Sequence, residues 1–200
     1  MKLLILIIFL IIFLGVLYWF NYKKMTFIQS PIDNRYYMVR DLPDKYVAVN
    51  LLSTLRSNII NLIKHLELKK NTDYKDYEKY ITQLSERMKD VTISETKGDE
   101  TNDGTKETVT SYSVNKGEEL VLCLRSKKDW NKFHKINVLM YVMLHEISHI
   151  ACPEYGHGQL YKKIFAFITR TAIELKLYEY VDYSAHPEEY CGIMITDSII

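Results

Sequence analysis

A pair of histidines inside an apolar stretch constrains the fold of this chain more than any other feature. His145 and His149 are four residues apart, Glu146 lies between them, and the preceding run from Ile136 to Leu144 is almost wholly apolar. Such a run predicts a buried helix, on which residues four apart share one face. Two imidazoles and a carboxylate are costly to bury unless a metal ion or a hydrogen-bonding partner satisfies them. The pattern therefore predicts one zinc ion bound by both histidines, with Glu146 as general base.

A catalytic zinc ion takes three protein ligands and leaves its fourth position to water, so a third ligand is expected. Pro153 and Gly156 predict that the helix ends and the chain turns back, which brings His157 toward the metal. A second helix is predicted from about residue 157 to 177. His157 is the preferred third ligand. Three other residues remain as rivals for this position: Cys152, Glu154 and Glu174.

The stretch from Met143 to Ile168 resembles the active-site helix pair of the SprT-like and WLM metallopeptidases. Their pattern is H-E-x-x-H, a short turn, and a histidine followed by a small residue and, three or four places on, an aromatic one. The matching residues here are His145, Glu146, His149 and His157. The resemblance implies zinc as the cofactor, the three histidines as its ligands and Glu146 as the catalytic base.

More closely, the chain resembles a set of predicted zinc metallopeptidases from large DNA viruses of eukaryotes and from some protists. Those proteins share three further motifs, which extend the resemblance over most of residues 36–200. The motifs are VRxLPD at Val39 to Asp44, SYxVNKGEExxLCLR at Ser111 to Arg125, and DYxxxPxxYCGxxITD at Asp182 to Asp197.

The charge balance distinguishes this chain from SprT-like relatives that act on proteins crosslinked to DNA and carry nucleic-acid-binding segments. The chain has 26 Lys+Arg against 25 Asp+Glu, and its net charge is +1. Binding to a phosphate backbone requires a basic surface. We therefore expect a peptide or protein substrate and no nucleic-acid partner.

The N-terminal stretch from Leu3 to Phe20 carries no charged residue and is long enough to cross most of a bilayer as a helix. Tyr18 and Trp19 suit an interfacial aromatic belt, and Lys23 and Lys24 follow it. These features predict an uncleaved single-pass anchor; a cleaved signal peptide is the alternative. The positive charges after the segment place the catalytic domain toward the cytosol, at a host-cell or virion membrane if the chain is viral.

Three parts are expected along the chain: an anchor over residues 1–22, a juxtamembrane linker over 23–42 and a zinc metallopeptidase domain over 43–200. The domain is predicted to have an α+β, zincin-like minimal fold with an N-terminal helical pair, a small mostly antiparallel sheet and the active-site helix. Its first helix begins near Pro43 and its second covers Asp73 to Met88. The predicted strands are Val91 to Glu95, Glu107 to Val114 and Glu119 to Arg125.

In zinc peptidases the strand before the active-site helix commonly offers its free edge to an extended substrate, which pairs with it through main-chain hydrogen bonds. By that resemblance, Glu119 to Arg125 is the candidate substrate edge. In the irregular tail, Tyr183, His186 and Tyr190 are candidate donors to the oxyanion that forms when water attacks a carbonyl. Tyr190 is the preferred candidate and joins Glu146 as a predicted catalytic residue.

The three cysteines, Cys123, Cys152 and Cys191, lie in unrelated contexts and are odd in number. They indicate no disulfide framework, and at least one thiol is free. The expected function is that of a membrane-anchored zinc metalloendopeptidase. Two alternatives remain: a catalytically inactive, zinc-stabilised interaction protein tethered to the membrane, and a zinc amidase acting on a non-peptide bond.

Overall fold

The computed structural model describes residues 7–16, 25–97, 110–129 and 131–200, and within them a mixed α+β domain follows a separate helical stretch over residues 7–16. The domain contains four α-helices, a 3-10 turn over Lys75–Tyr77 and seven strands in the described ranges. The helices are α1 (Lys45–Lys69), α2 (Glu78–Arg87), α3 (Ile136–Ala151) and α4 (Gln159–Glu174). The strands are β1 (Met25–Gln29), β2 (Tyr36–Arg40), β3 (Thr92–Glu95), β4 (Tyr112–Val114), β5 (Glu119–Leu122), β6 (Glu188–Tyr190) and β7 (Ile193–Ile195).

Strands β1 to β5 form one sheet in the order β1-β2-β3-β5-β4, and β6 and β7 form a separate hairpin. The pairs β1-β2 and β4-β5 are antiparallel, whereas β2-β3 and β3-β5 are parallel. The predicted α+β class is confirmed, but the prediction of a mostly antiparallel sheet is wrong. Helices α1 and α2 connect β2 to β3, and such a crossover returns the chain to the same end of the sheet and makes the two strands parallel.

Much of the predicted juxtamembrane linker, residues 23–42, belongs to this sheet, so the linker prediction is wrong from Met25 to Arg40. These residues form the β1-β2 hairpin. Tyr37 and Val39 are buried at 2% and 0% exposure, whereas Tyr36 is exposed. This alternation is that of a strand with one face against the core.

Strand β5 is an inner strand, so the prediction that Glu119 to Arg125 offers a free edge to substrate is wrong. Its residues pair with β3 on one side and with β4 on the other. A hairpin turn with positive φ at Asn115, Lys116 and Gly117 folds β4 onto the outer side of β5. Within the described part of the chain, β4 is therefore the outermost strand at this end of the sheet.

Helix α3 lies at the centre of the domain and packs against α1, α2, α4 and β4. Twelve of its 16 residues are buried. A helix that contacts other elements around most of its circumference is apolar on most of its faces. This explains the apolar run before His145 and confirms the predicted buried helix.

A buried ion pair joins the first two of the shared motifs. Arg125, only 1% exposed, donates from Nε to Glu95 Oε1 at 2.8 Å and from Nη1 and Nη2 to the two carboxylate oxygens of Asp44 at 2.6 and 2.8 Å. Hydrogen bonds from this guanidinium hold the pKa of the Asp44 carboxyl below its usual range. The contacts tie the start of α1 to β3 and to the segment after β5.

The third shared motif is joined to the second by a disulfide between Cys123 and Cys191, whose Cα atoms are 6.1 Å apart. The prediction of no disulfide framework is wrong for this pair. The two cysteines are 68 positions apart in sequence and meet only because the β6-β7 hairpin folds against the sheet. Cys152 is a buried free cysteine, which confirms that at least one thiol is free.

The predicted anchor, Leu3 to Phe20, lies only partly within the described residues. Residues 7–16 are helical, and their large apolar side chains are exposed; the remaining positions of the segment lie outside the described residues. In the part of the chain that the structure describes, no helix combines the length and the apolar character needed to span a membrane.

Candidate metal centre

The three predicted histidine ligands meet at one point beside α3. His145 and His149 lie one turn apart on that helix, and His157 lies in the turn that follows it. Their Nε2 atoms form a triangle: 3.2 Å from His145 to His149, 3.1 Å from His149 to His157 and 3.2 Å from His157 to His145. These nitrogens are the only group of three metal-ligating atoms found together in the described residues.

The geometry of this triangle fits a shared metal ion. A tetrahedral zinc ion with Zn–N distances of about 2.0 Å separates two nitrogen ligands by roughly 3.3 Å. The three nitrogens cannot satisfy one another by hydrogen bonding, because each neutral imidazole nitrogen is either a donor or an acceptor, and at least two of the three must have the same role. A cation at the centre satisfies all three as electron-pair donors.

The electrostatics of the site also favour a cation. Burial, and then the neighbouring imidazoles, lower the pKa of His145 to about 3 and that of His149 to about 4. Both rings are therefore neutral near pH 7, which is the form that binds a metal. Glu146 is 6% exposed, and burial raises its pKa to about 7. A buried carboxyl beside these imidazoles gains from a positive charge between them.

The rivals for the third ligand position do not reach the triangle. Glu174 is exposed and is the last residue of α4, about 20 Å along the helix from Tyr161, which stacks on His149. Cys152 is buried and Glu154 is exposed, and neither belongs to the group of converging ligand atoms.

The turn that carries His157 is held by a lysine from the β4-β5 hairpin. Lys116 Nζ donates to the carbonyl oxygens of Cys152, Pro153 and Glu154 at 2.9, 2.6 and 3.0 Å, and it lies 4.1 Å from the ring centroid of Tyr155. Helix α3 ends at Ala151, as Pro153 predicts, so these three carbonyls lie just beyond its end. The last carbonyls of the helix itself, those of Ile150 and Ala151, accept hydrogen bonds from side chains of α2. Lys116 therefore fixes the turn to the third histidine, a role that its place in the sequence does not reveal.

Tyr161, near the start of α4, supports both helix-borne histidines. Its ring stacks on that of His149 with centroids 4.2 Å apart, and its hydroxyl donates to the carbonyl oxygen of His145 at 3.2 Å. It is the aromatic residue that follows the third histidine in the family pattern. Such contacts fix the orientation of metal-binding imidazoles.

A cavity of about 760 Å³ opens onto the three histidines and Glu146. Of the three tail candidates, Tyr190 lines this cavity, whereas Tyr183 and His186 do not. Tyr183 is buried behind the wall against Tyr141, at a centroid distance of 5.0 Å, and His186 is exposed.

The hydroxyl of Tyr190 forms a short hydrogen bond with Ser111 Oγ, which also accepts from the backbone N–H of Cys123 at 3.0 Å. Burial raises the pKa of Tyr190, so the phenol stays protonated at neutral pH. Ser111, another lining residue of the cavity, belongs to a shared motif, but the sequence alone assigned it no role.

The fold and this site define a class: an α+β domain with an H-E-x-x-H helix whose third histidine follows in a short turn. The WLM domain matches residues 75–183, more than half of the 200 residues, and this range includes all three histidines and Glu146. The chain therefore belongs to the WLM family, a zinc-dependent family of the protease type.

Two viral proteins are similar in sequence. Uncharacterized protein R325 of Acanthamoeba polyphaga mimivirus is 38% identical over 178 residues, which are 89% of this chain and 86% of the relative. Uncharacterized protein 136R of Invertebrate iridescent virus 6 is 37% identical over 70 residues, 34% of this chain and 39% of the relative. The predicted resemblance to WLM proteins and to viral relatives is confirmed.

Two solved structures of Wss1 from Saccharomyces cerevisiae are similar in fold. The first has a TM-score of 0.44 and 19% identity and covers 70% of this chain and 88% of that chain. A Wss1 mutant has a TM-score of 0.47 and 18% identity and covers 76% and 100%, respectively.

Proposed function

We propose that this chain is a membrane-anchored zinc metalloendopeptidase that hydrolyses peptide bonds in a protein or peptide substrate. One observation carries the proposal: three imidazole nitrogens converge at the wall of an open cavity, and a buried glutamate lies beside them. A structural zinc site is closed by four protein ligands, whereas a catalytic site keeps one position open. Three histidines that face an open cavity match the arrangement of a catalytic site.

Glu146 is the proposed general base. When bound, zinc supplies Lewis-acid activation of a water molecule and of the scissile carbonyl. Glu146 then takes a proton from the water and passes it to the leaving amine. In the zinc-free protein, burial alone raises the pKa of Glu146 to about 7; a bound cation would favour the charged carboxylate, which is the form that acts as a base.

Tyr190 is proposed to stabilise the negative charge that develops on the carbonyl oxygen. Its hydroxyl lies in the cavity wall as a protonated phenol, and Ser111 and the Cys123 N–H hold it there. A positioned hydrogen-bond donor of this kind contributes about 10²- to 10³-fold to kcat in other hydrolases.

Strand β4 replaces the predicted β5 as the proposed substrate edge. Among the strands of the described residues it is the outermost at that end of the sheet, and Ser111, Tyr112 and Ser113 line the same cavity as the histidines. An extended substrate added alongside β4 would run past the metal centre. The net charge of the chain is only +1. We therefore propose a protein or peptide partner and no nucleic acid.

Membrane attachment through Leu3 to Phe20 is part of the proposal, supported by the uncharged sequence and by the exposed apolar side chains of residues 7–16. We propose the cytosolic side for the catalytic domain from the positive charges after the segment. The Cys123–Cys191 disulfide argues for an oxidising compartment instead. Protease protection of the domain in sealed vesicles decides between the two sides.

The test of the peptidase function compares Glu146→Gln with Glu174→Gln in the full-length, detergent-solubilised, zinc-loaded protein. Zinc content is measured by mass spectrometry, and cleavage of denatured casein by gel and peptide mapping. We expect about one zinc per chain in the wild type and in both variants. Cleavage should fall at least about 100-fold in Glu146→Gln, the lower bound for loss of a general base, and should stay unchanged in Glu174→Gln.

Each other outcome has a distinct meaning. Loss of zinc in Glu146→Gln would contradict its role as a base that is not a ligand. Loss of zinc in Glu174→Gln would assign that residue to the ligand set in place of His157. A zinc-loaded wild type that cleaves no peptide bond would favour the interaction protein, or the amidase if it hydrolyses a non-peptide amide.

A further inference from the structure

The cavity next to the metal centre has an apolar end that the proposed chemistry does not use. Five side chains from three parts of the fold line it: Tyr141 and Val142 on α3, Phe165 on α4, and Ile195 and Ile199 in the C-terminal segment. The two residues with proposed catalytic roles, Glu146 and Tyr190, are other members of the same lining.

This apolar end begins at the metal centre itself. Tyr141 and Val142 precede His145 by about one helical turn, so their side chains lie on the same face of α3 as that imidazole. The ring of Phe165 packs edge-on against the ring of His145, with centroids 5.4 Å apart, and lies 5.4 Å from that of Tyr141. One residue of an extended chain spans about 3.3–3.6 Å, so this end lies within reach of a residue that flanks the scissile bond.

The C-terminal segment of this wall is held in place by hydrogen bonds. Tyr141 Oη donates to the carbonyl oxygen of Asp197 at 3.3 Å. Ser198 Oγ donates to the carbonyl oxygen of Val181 at 2.8 Å and accepts from the N–H of Tyr183 at 2.9 Å. These bonds fix the segment that carries the two isoleucines, so the apolar end is formed before a substrate enters it.

Lys162 and Asp197 also line the cavity, and both of these charged residues are exposed. The buried carboxyl in the lining is that of Glu146, which has a proposed catalytic role. A charged substrate side chain that entered the apolar end would lose its water without gaining a buried partner, whereas an apolar side chain would gain by leaving water.

We propose that the apolar end is a specificity subsite for a large aliphatic or aromatic side chain at one of the two substrate positions flanking the scissile bond. The proposal rests on the proposed peptidase function and deepens it. Cleavage should therefore occur beside Leu, Met, Phe or Tyr rather than beside Asp or Lys. A pocket of this kind discriminates by about 10- to 200-fold per methylene-sized change in fit.

The experiment uses the full-length, zinc-loaded protein and a synthetic peptide library with randomised residues, and the cleaved products are sequenced by mass spectrometry. For the wild type we expect at least about a 10-fold preference for large apolar residues at one flanking position. Ile199→Lys should reduce that preference about 10-fold and raise cleavage beside Asp and Glu. Leu68→Lys, the same type of change at an 83% exposed leucine on α1, is the matched control and should keep the wild-type profile.

A second variant covers the case in which Ile199→Lys loses its fold or its zinc. Phe165→Leu widens the same end without adding a charge and should shift the preference toward bulkier aromatic residues. Absence of any cleavage by the zinc-loaded wild type contradicts the proposed peptidase function. Cleavage without an apolar preference, or with a preference that neither folded variant alters, overturns the subsite alone.

Discussion

Loss of the Cys123–Cys191 disulfide is expected to destabilise the domain by about 4 kcal/mol. The bond joins residues 68 positions apart. A cross-link that closes a loop of this length lowers the entropy of the unfolded chain by roughly 15 cal/mol/K, which corresponds to about 4 kcal/mol at 25 °C. The perturbation is the double variant Cys123→Ala/Cys191→Ala.

The assay is urea unfolding of the zinc-free chain that lacks residues 1–22, and the unfolding is monitored by circular dichroism. With a slope of about 2 kcal/mol per M, the midpoint should fall by about 2 M. Dithiothreitol should lower the wild-type midpoint to the same extent and leave the double variant unchanged. Cys152→Ala removes a thiol that forms no disulfide, so it is the matched control and should retain the sensitivity to dithiothreitol. Equal midpoints for the wild type and the double variant would refute the reasoning.

The same bond has a predicted catalytic consequence because Cys191 directly follows Tyr190. Without the bond the β6-β7 hairpin loses its covalent link to the sheet, and Tyr190 loses its fixed position in the cavity wall. The histidine ligands lie on α3 and its following turn and do not depend on that link. We therefore expect zinc content near one per chain and a kcat lowered by up to about 100-fold. An unchanged kcat in the double variant would show that the bond does not position Tyr190.

Three further predictions concern Lys116, the buried glutamate and the N-terminus. Lys116→Met should weaken zinc binding by about 10- to 100-fold in chelator competition, because the turn to His157 loses three hydrogen bonds, and Lys116→Arg should restore part of the affinity. Burial raises the pKa of Glu146 from the usual 4.5 to about 7. The folded, zinc-free protein therefore holds a proton that the unfolded chain releases. As the pH rises from 4.5 to 7, the wild type should lose up to about 3 kcal/mol of stability relative to Glu146→Gln in urea unfolding, and parallel pH profiles would contradict this. The full-length chain should stay in the membrane fraction through high-salt and alkaline washing, and deletion of residues 1–22 should release a soluble, zinc-binding domain. A mature chain that starts near residue 21 would show a cleaved signal peptide instead.

Local sequence patterns were sufficient to predict features that depend on a single helix or strand. The spacing of His145 and His149 in an apolar run predicted the buried active-site helix, and Pro153 correctly indicated where that helix ends. The strand prediction at Val91 to Glu95 agrees with β3, and the predicted helix from Pro43 agrees with α1. Such features depend on periodicity and backbone chemistry within about 20 residues, which the sequence displays directly.

Contacts between residues that are far apart in the sequence could not be predicted from local patterns. The β1-β2 hairpin resembled a linker because its alternation is short and follows an apolar segment. Strand β4 rather than β5 is the outer strand because the turn between them folds β4 onto the outer side of β5. The meeting of Cys123 with Cys191 depends on how a C-terminal hairpin docks.

By itself, therefore, the sequence predicted two of the proposed metal ligands, His145 and His149, the proposed general base, the buried helix that carries them and the α+β class. For the third ligand it preferred His157 but left three rivals, and the structure places His157 with the other two histidines. The tertiary structure alone decided the mixed sheet order, the disulfide, the hydrogen bonds from Lys116 to the turn before His157, and the placing of Tyr190 and the C-terminal segment around one cavity. The physical reason is the range of the interactions. Helix periodicity and ligand spacing are local properties of the chain, whereas strand order and cavity walls arise from contacts between residues that are distant in sequence.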